Sequence, residues 1–352
     1  MLFDLPDDDV LYAALIARDP AYDGFAFVGV KSTGIFCRLT GPARKPKREN
    51  SVFYPSMVSA MEAGFRPCKR CRPLMQGGEK DPLVLKLLAA LENEPDRKWS
   101  EGDVQAMNVD PSTVRRAFKR QFGITFLEMA RLRRVGKGVD ALAGGEAVIE
   151  AQLDASFGSG SGFRAAIIRQ IGSNPSQARK HQFLKADWLD TPIGSMLAIA
   201  SRDALYLLEF IDRPALPNEI ERLKQLTSSE IIFGRTSLTN QVEQELAAYF
   251  AGERQTFGIP LAESGSLFTR KVWDALRAIP AGELRSYSAL AADIGQATAS
   301  RAVARANGAN QIAILIPCHR VIGADGSLTG YGGGLWRKRW LIEHERRMAL
   351  SR

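Results

Sequence analysis

Apolar and polar positions follow three different rhythms along this chain. Up to about Gly78 they come in short, turn-punctuated bursts. Phe25–Val30 has the alternation of a strand, Thr33-Gly34 turns it into Ile35-Phe36-Cys37, and Ser56–Ala63 forms a short helix closed by Gly64. From Leu83 the period becomes helical. Leu83–Leu91 is one helix, and Ser100 with Asp103 makes a capping box for a helix that runs to Met107. Asn108-Val109-Asp110 is a turn, with Asn tolerant of left-handed geometry, and Pro111 opens a helix to Gln121. Gly123–Arg134 starts a long connecting helix, after which Val148–Ala155, Ser156-Phe157-Gly158 and Ser159–Ile171 repeat the helix, turn and helix. Beyond Phe183, Ile193–Ala200 and Ala204–Phe210 predict two strands of a small sheet, and Leu238–Gly252 and Phe268–Ala278 predict helices. A final apolar run, Ile312–Ile316, ends at Pro317 and delivers Cys318 beside His319.

At 352 residues the chain exceeds one ordinary core, so two or three domains are expected. Met75–Pro82 is polar and glycine-rich and marks a boundary. No window approaches the roughly 18 apolar residues of a membrane span, and the acidic start Met1–Asp9 lacks the order of a secretory signal. Four cysteines are too few for a disulfide scaffold, which predicts a reducing, cytoplasmic setting. The net charge of +8 favours a polyanion. Arg38–Arg48 holds five basic and no acidic residues, and Arg115, Arg116, Lys119 and Arg120 cluster on one predicted helix, which points to nucleic acid over a merely solvated face.

Cys318 has two readings. It is either a small buried hydrophobe or a nucleophile whose thiolate is favoured by the adjacent base. Cys68-Lys69-Arg70-Cys71 has the spacing of a zinc-binding turn, and Cys37 supplies a third soft ligand. The alternative, a redox dithiol, requires a thioredoxin-like setting that the surrounding pattern lacks. The helical middle reads as helix-turn-helix, or else as a plain helical bundle.

Gly34-Ile35-Phe36-Cys37-Arg38, Arg48-Glu49-Asn50 and Gly64–Cys71 resemble the Ada-type zinc-binding domains. That resemblance implies one zinc ion held by cysteines, with the residue matching Cys37 accepting a methyl group from a DNA methylphosphotriester. The family's second ligand cysteine is replaced by Gly41, and no histidine occurs before His181. The metal ligands are then Cys37, Cys68 and Cys71, with the fourth unassigned. Three thiolates on Zn²⁺ carry −1 where four carry −2, so Cys37 is expected to be a weaker nucleophile and DNA binding to depend little on its methylation.

The tandem helical units resemble the AraC-type DNA-binding domain, with Phe157, Phe163, Gly172, Pro175 and Arg179 in register and Val104 and Asn108 as departures. The second helix of such a unit lies in the major groove, which directs Ser112, Thr113, Arg115, Arg116 and Lys119 toward DNA.

Pro317-Cys318-His319-Arg320-Val321 resembles the signature of the O6-alkylguanine-DNA alkyltransferases. Asn310, Arg301, Tyr287, Tyr331 and Glu345 fall at the family's spacings from the cysteine. The resemblance implies that the guanine is flipped from the duplex, that Tyr287 disturbs the adjoining phosphate and that Arg301 fills the gap. Glu345 orients His319, which takes the Cys318 proton through a water. The thiolate attacks the alkyl carbon, Tyr287 protonates the departing guanine and Asn310 braces the turn. Gly330–Gly334, carrying Tyr331, forms a lid, and Gly332 replaces the family's usual larger residue.

The expected fold is multidomain α+β. Residues 1–78 form a small zinc-bound α/β domain, and 79–182 an all-α tandem helix-turn-helix domain. Residues 183–265 form a ribonuclease-like sheet subdomain, and 266–352 a winged-helix-like catalytic subdomain. The expected function is irreversible, single-turnover transfer of the O6-methyl group of guanine, with O4-methylthymine as a further target, to Cys318. Promoter binding as a regulator of the alkylation response accompanies it. Double-stranded DNA and RNA polymerase are the expected partners of a monomer. The alternatives are a thiol hydrolase, which would turn over repeatedly, and a zinc-dependent regulator whose C-terminal region acts as a sensor.

Overall fold

The computed structural model describes residues 5–19, 22–24, 26–71, 73, 81–262 and 265–350. Phe25, most of the 75–82 boundary segment and the first four residues lie outside these. The chain divides into two compact units, residues 1–79 with 265–310 and 316–352, and residues 80–264 with 311–315.

In the N-terminal part, α1 (Asp8–Ala17) precedes a four-stranded sheet of β1 (Phe27–Val30), β2 (Ile35–Arg38), β3 (Ser51–Tyr54) and β4 (Arg66–Pro67), with α2 (Met57–Glu62) before β4. The strand order is β3-β1-β2-β4. The two-residue period sorts the side chains between two faces. Val28, Cys37 and Phe53 are cross-strand neighbours and join Leu11 and Leu15 of α1 in one cluster. Phe27 and Phe36 point the other way, against Ala60 of α2. Cys37 therefore faces α1, and Cys68 arrives there because its N–H donates to Phe36 O at 3.0 Å.

The helical segment contains α3 (Pro82–Asn93), α4 (Glu101–Ala106), α5 (Pro111–Phe122), α6 (Phe126–Gly144), α7 (Val148–Asp154) and α8 (Gly160–Ile171). Ser100 and Asp103 form the expected capping box. Asn108 takes a left-handed φ of 57°, and Ser156 takes the equivalent position, φ 55°, in the second unit. The nineteen-residue α6 spans two cores. Its start packs with Trp99, Phe118 and Phe122, and its end with Phe163, Ile167 and Ile171.

A four-stranded sheet follows, where two strands were expected. It comprises β5 (Gln182–Leu189), β6 (Met196–Ala200), β7 (Leu205–Phe210) and β8 (Ser229–Phe233), in the order β7-β6-β5-β8 with β8 parallel to β5. The first expected strand also starts later, at Met196 rather than Ile193, because residues 191–194 form a turn in which Thr191 Oγ1 donates to Gly194 O. α9 (Leu216–Thr227) is the crossover to β8, and α10 (Ser237–Phe250) follows.

In this unit the helical segment and the sheet share a core. Ile232 of β8 is fully buried among Val135, Val139 and Phe163. A Cβ added to Gly136 would lie 1.7 Å from Phe233 O, so only glycine lets α6 approach so closely. Polar contacts reinforce the join. Buried Asp187 of β5 lies 3.2 Å from Arg133 and 3.1 Å from Arg235, and both arginines reach Glu92 of α3.

The C-terminal part comprises α11 (Leu267–Ala278), β9 (Arg285–Ser286), α12 (Tyr287–Asp293), α13 (Ser300–Gly308), β10 (Val321–Ile322) and α14 (Leu335–Leu350). β9 and β10 make a two-residue parallel ladder. The fold is the expected multidomain mixture of helix and sheet. In the Ile312–Ile316 run, Ile312 makes an isolated parallel bridge to Leu208 and residues 313–315 form a turn. Ile314 sits at φ 72°, a region that β-branched residues rarely occupy.

Candidate active site and metal centre

Cys318 opens a three-residue 3-10 turn, Cys318–Arg320, behind Pro317 at φ −82°. Its N–H donates to Ile316 O at 2.8 Å. Asn310, 1% exposed, closes the turn from the end of α13: Nδ2 donates to Ile316 O at 2.8 Å and to Cys318 Sγ at 3.1 Å. One amide thus fixes both the backbone of the turn and the direction of the sulfur.

The next residue enters a buried charge cluster. His319 Nε2 lies 2.9 Å from Glu345 Oε1, and neither side chain is more than 1% exposed. Glu345 also accepts from Arg320 Nε at 2.9 Å, from Arg320 Nη2 at 2.8 Å and from the Gly282 N–H at 3.3 Å. Burial alone would raise the Glu345 carboxyl, but His319 and Arg320 outweigh it and hold it well below the usual carboxylate range. The ionised carboxylate can only accept, so Nε2 carries the His319 proton and Nδ1 is left as the basic nitrogen. Nδ1 is buried and has no hydrogen-bond partner among the described residues. Burial lowers the His319 pKa against the pull of Glu345, keeping the ring neutral and able to take a proton.

Tyr287, at the start of α12, is raised by burial and by the charge of Cys318, while its hydrogen bond with Thr329 opposes the shift. It therefore remains a protonated donor. Arg301 is exposed in the first turn of α13, and Tyr331 is half-buried in the glycine loop. The structure thus gathers Cys318, His319, Glu345, Asn310 and Tyr287.

Two residues of this centre were missed. Arg320 belongs to the signature itself, yet its bidentate grip on Glu345 could not be foreseen from the local sequence. Lys338 is fully buried, and its Nζ donates to Thr329 O at 2.6 Å, pinning the start of the lid. Burial lowers its pKa to about 8, opposed by the charge of Cys318. Its signal was helical spacing: Lys338, Leu341, Ile342 and Glu345 share the buried face of α14.

The second cluster is Cys37, Cys68 and Cys71, whose sulfurs all lie within 4.8 Å of one another. Three soft thiols this close fit a zinc ion. As bare thiols, Cys37 donates to Cys71. Cys71 is thereby held down to about 6, helped by the Arg38 N–H, while Cys37 is pushed up.

On α5, Val114, Ala117 and Phe118 are buried, while Ser112, Thr113, Arg115, Arg116 and Lys119 are exposed on the opposite side. Ser112 and Thr113 are already engaged, both hydroxyls donating to the N-cap carboxylate of Asp110. Arg115 pairs with Glu101 at 2.6 Å. Arg116 and Lys119 are left as the better-disposed cations of the face.

Four family models match consecutive segments. They are the metal-binding domain of Ada at residues 10–73, a helix-turn-helix domain at 104–181, and the ribonuclease-like and DNA-binding domains of 6-O-methylguanine DNA methyltransferase at 184–262 and 267–347. The bifunctional transcriptional activator/DNA repair enzyme Ada of Escherichia coli is 34% identical over 344 residues, 96% of each chain. The regulatory protein ada of Salmonella typhimurium is 32% identical over 345 residues, again 96% of each. A methylated-DNA–protein-cysteine methyltransferase of Mycolicibacterium paratuberculosis is 48% identical over 160 residues, covering 45% of this chain and 90% of its own. With relatives matched from end to end and all four segments recognised in the same order, this chain belongs to the Ada protein family.

Proposed function

We propose that this protein repairs O6-methylguanine in DNA by transferring the methyl group irreversibly to Cys318, and that it binds promoter DNA as a regulator of the alkylation response. The observation that carries the reading is the buried chain Glu345–His319 beside a thiol fixed by Asn310. A nucleophile, a neutral base and a carboxylate orienter held together in a buried site are what thiolate attack needs.

In this reading His319 Nδ1 takes the Cys318 proton through a water, and Glu345 stabilises the imidazolium that forms. The Cys318 sulfur then displaces guanine from the methyl carbon. Tyr287, kept protonated by burial, supplies a proton to the leaving base. Asn310 orients the sulfur, Lys338 offers its ammonium to the developing thiolate and ties down the lid that carries Tyr331, and Arg301 occupies the space of the flipped base. A thioether is a poor leaving group, so each molecule acts once. The four segments 1–78, 79–182, 183–265 and 266–352 are read as its working parts, and RNA polymerase as the partner of the promoter-bound monomer.

Cys37, Cys68 and Cys71 would hold one zinc ion, which supplies a thiolate-stabilising charge. Cys37 is read as a slow acceptor, since the centre lacks a fourth thiolate. Mixing the protein with duplex DNA bearing O6-methylguanine and mapping adducts by mass spectrometry tests the reading. One methyl on Cys318 per repaired base supports it, and continued product release from unmodified Cys318 overturns it.

A further inference from the structure

Zinc bound by thiolates is tetrahedral and needs four donors. The cluster supplies three, and among the described residues no other histidine, cysteine or carboxylate joins it. The corner beside Cys71 is occupied by Gly41. A Cβ built there would stand 3.2 Å from Cys71 Cβ and 3.6 Å from Cys71 Sγ, so a side chain at this position would point into the cluster. Glycine brings only its backbone, and that backbone is engaged. Its N–H donates to Arg38 O at 3.1 Å, and its carbonyl accepts from Lys45 Nζ at 3.3 Å. Lys45 also donates to Leu39 O at 2.6 Å, which ties the loop in place and keeps the Gly41 carbonyl occupied.

What faces the cluster instead is a cavity of about 350 Å³ whose lining includes Cys37, Cys68 and Gly41. That is the size of a small-molecule site. Its lining is largely apolar, with Val28, Ile35 and Pro67. Of the basic residues that border it, Arg38 lies 3.6 Å from Asp23 and Lys45 is held by two carbonyls, so Arg44, Arg66, Lys69 and Arg70 make its wall cationic. An open metal corner, a soft metal and a cationic wall together select a small anionic thiol.

We propose that the metal held by Cys37, Cys68 and Cys71 keeps an exchangeable fourth position beside Gly41, which takes a low-molecular-weight anionic thiol from this cavity. The proposal rests on the reading of the three cysteines as a zinc site. On binding, the thiol gives its proton to solvent, its sulfur forms the fourth metal–sulfur bond and a water leaves. The centre then passes from −1 to −2. The site is thereby a point at which a soluble thiol, rather than the chain itself, sets the charge of the centre.

The test uses the full chain loaded with Co²⁺ in place of zinc. Metal analysis comes first: one ion per chain, lost in C68S, is required, and its failure overturns the zinc reading rather than the exchangeable corner. Mercaptoacetate is then titrated against the cobalt spectrum. The expected result is a saturable gain of about one third in sulfur-to-metal charge-transfer intensity, as three bonds become four, at lower concentration than for neutral mercaptoethanol. G41C should bind the ion with the larger intensity already present and give no response to thiol. A loaded wild-type spectrum that mercaptoacetate leaves unchanged, or an equal response in G41C, overturns the proposal. If G41C fails to bind metal, the wild-type titration alone decides.

Discussion

Glu345 is the residue on which the chemistry and the stability of the active centre meet, and replacing it by glutamine separates the two. The carboxylate receives one bond from His319 and two from Arg320 while 1% exposed. In E345Q the Arg320 guanidinium stays buried without a counter-charge, a situation that costs about 3–5 kcal/mol. The glutamine amide can also donate, which favours the His319 tautomer with its proton on Nδ1, the wrong nitrogen for taking one from Cys318. Loss of a positioned base lowers rate by roughly 10²–10⁴-fold. Single-turnover transfer from duplex O6-methylguanine measures the rate, and urea unfolding measures stability. The double variant R320M/E345L distinguishes the effects: removing both charges restores much of the stability, since apolar replacement of a buried pair is often near neutral, but leaves transfer slow. The Glu345 value is depressed on folding, so its contribution is complete above the unfolded carboxylate range and is lost as pH falls through the folded value. Wild type should therefore lose stability below about pH 4 more steeply than E345Q. Transfer by E345Q within threefold of wild type would refute the reasoning.

Other consequences are equally direct. Lys338 is lowered to about 8 by burial, so it loses its charge as pH rises through that value. K338M should slow transfer at least tenfold at pH 7, by a margin that shrinks by pH 9, and wild-type stability should gain on K338M as pH rises above 8. G136A forces a Cβ against Phe233 O and should cost about 1–3 kcal/mol by thermal unfolding. Its control on the same helix, G144A, meets nothing within 4 Å and should be neutral or stabilising. Arg116→Ala and Lys119→Ala should each reduce the salt slope of promoter binding by about 1, as phosphate contacts do. Arg115→Ala should do less, because Glu101 already neutralises that side chain.

Local rules carried much of the fold. The Ser100–Asp103 box, the left-handed Asn108 and the caps of α5 are all set by neighbours within a few residues, and each is where its side-chain chemistry requires. The alkyltransferase resemblance pointed to Asn310, His319 and Glu345, which lie at the end of α13, in the Cys318–Arg320 turn and in α14. What escaped was non-local. β5 and β8 pair in parallel across some forty residues, and nothing in Gln182–Leu189 announces its partner. Gly136 stands inside α6, and nothing near it in the sequence announces Phe233 against it. Burial of the Lys338 ammonium depends on the lid carbonyls that receive it, which its own stretch of sequence does not announce. Arg115 was expected to face DNA freely, and its pairing with Glu101 follows from packing α4 on α5, which helical periodicity alone does not give.

The most direct test of the account counts methyl groups on each cysteine after reaction with an excess of duplex DNA carrying O6-methylguanine. The account predicts one methyl on Cys318 per protein molecule, a reaction that stops when that cysteine is consumed, and no transfer in C318S. Repair of several bases per molecule, or a methyl residing elsewhere while Cys318 stays a free thiol, would contradict it.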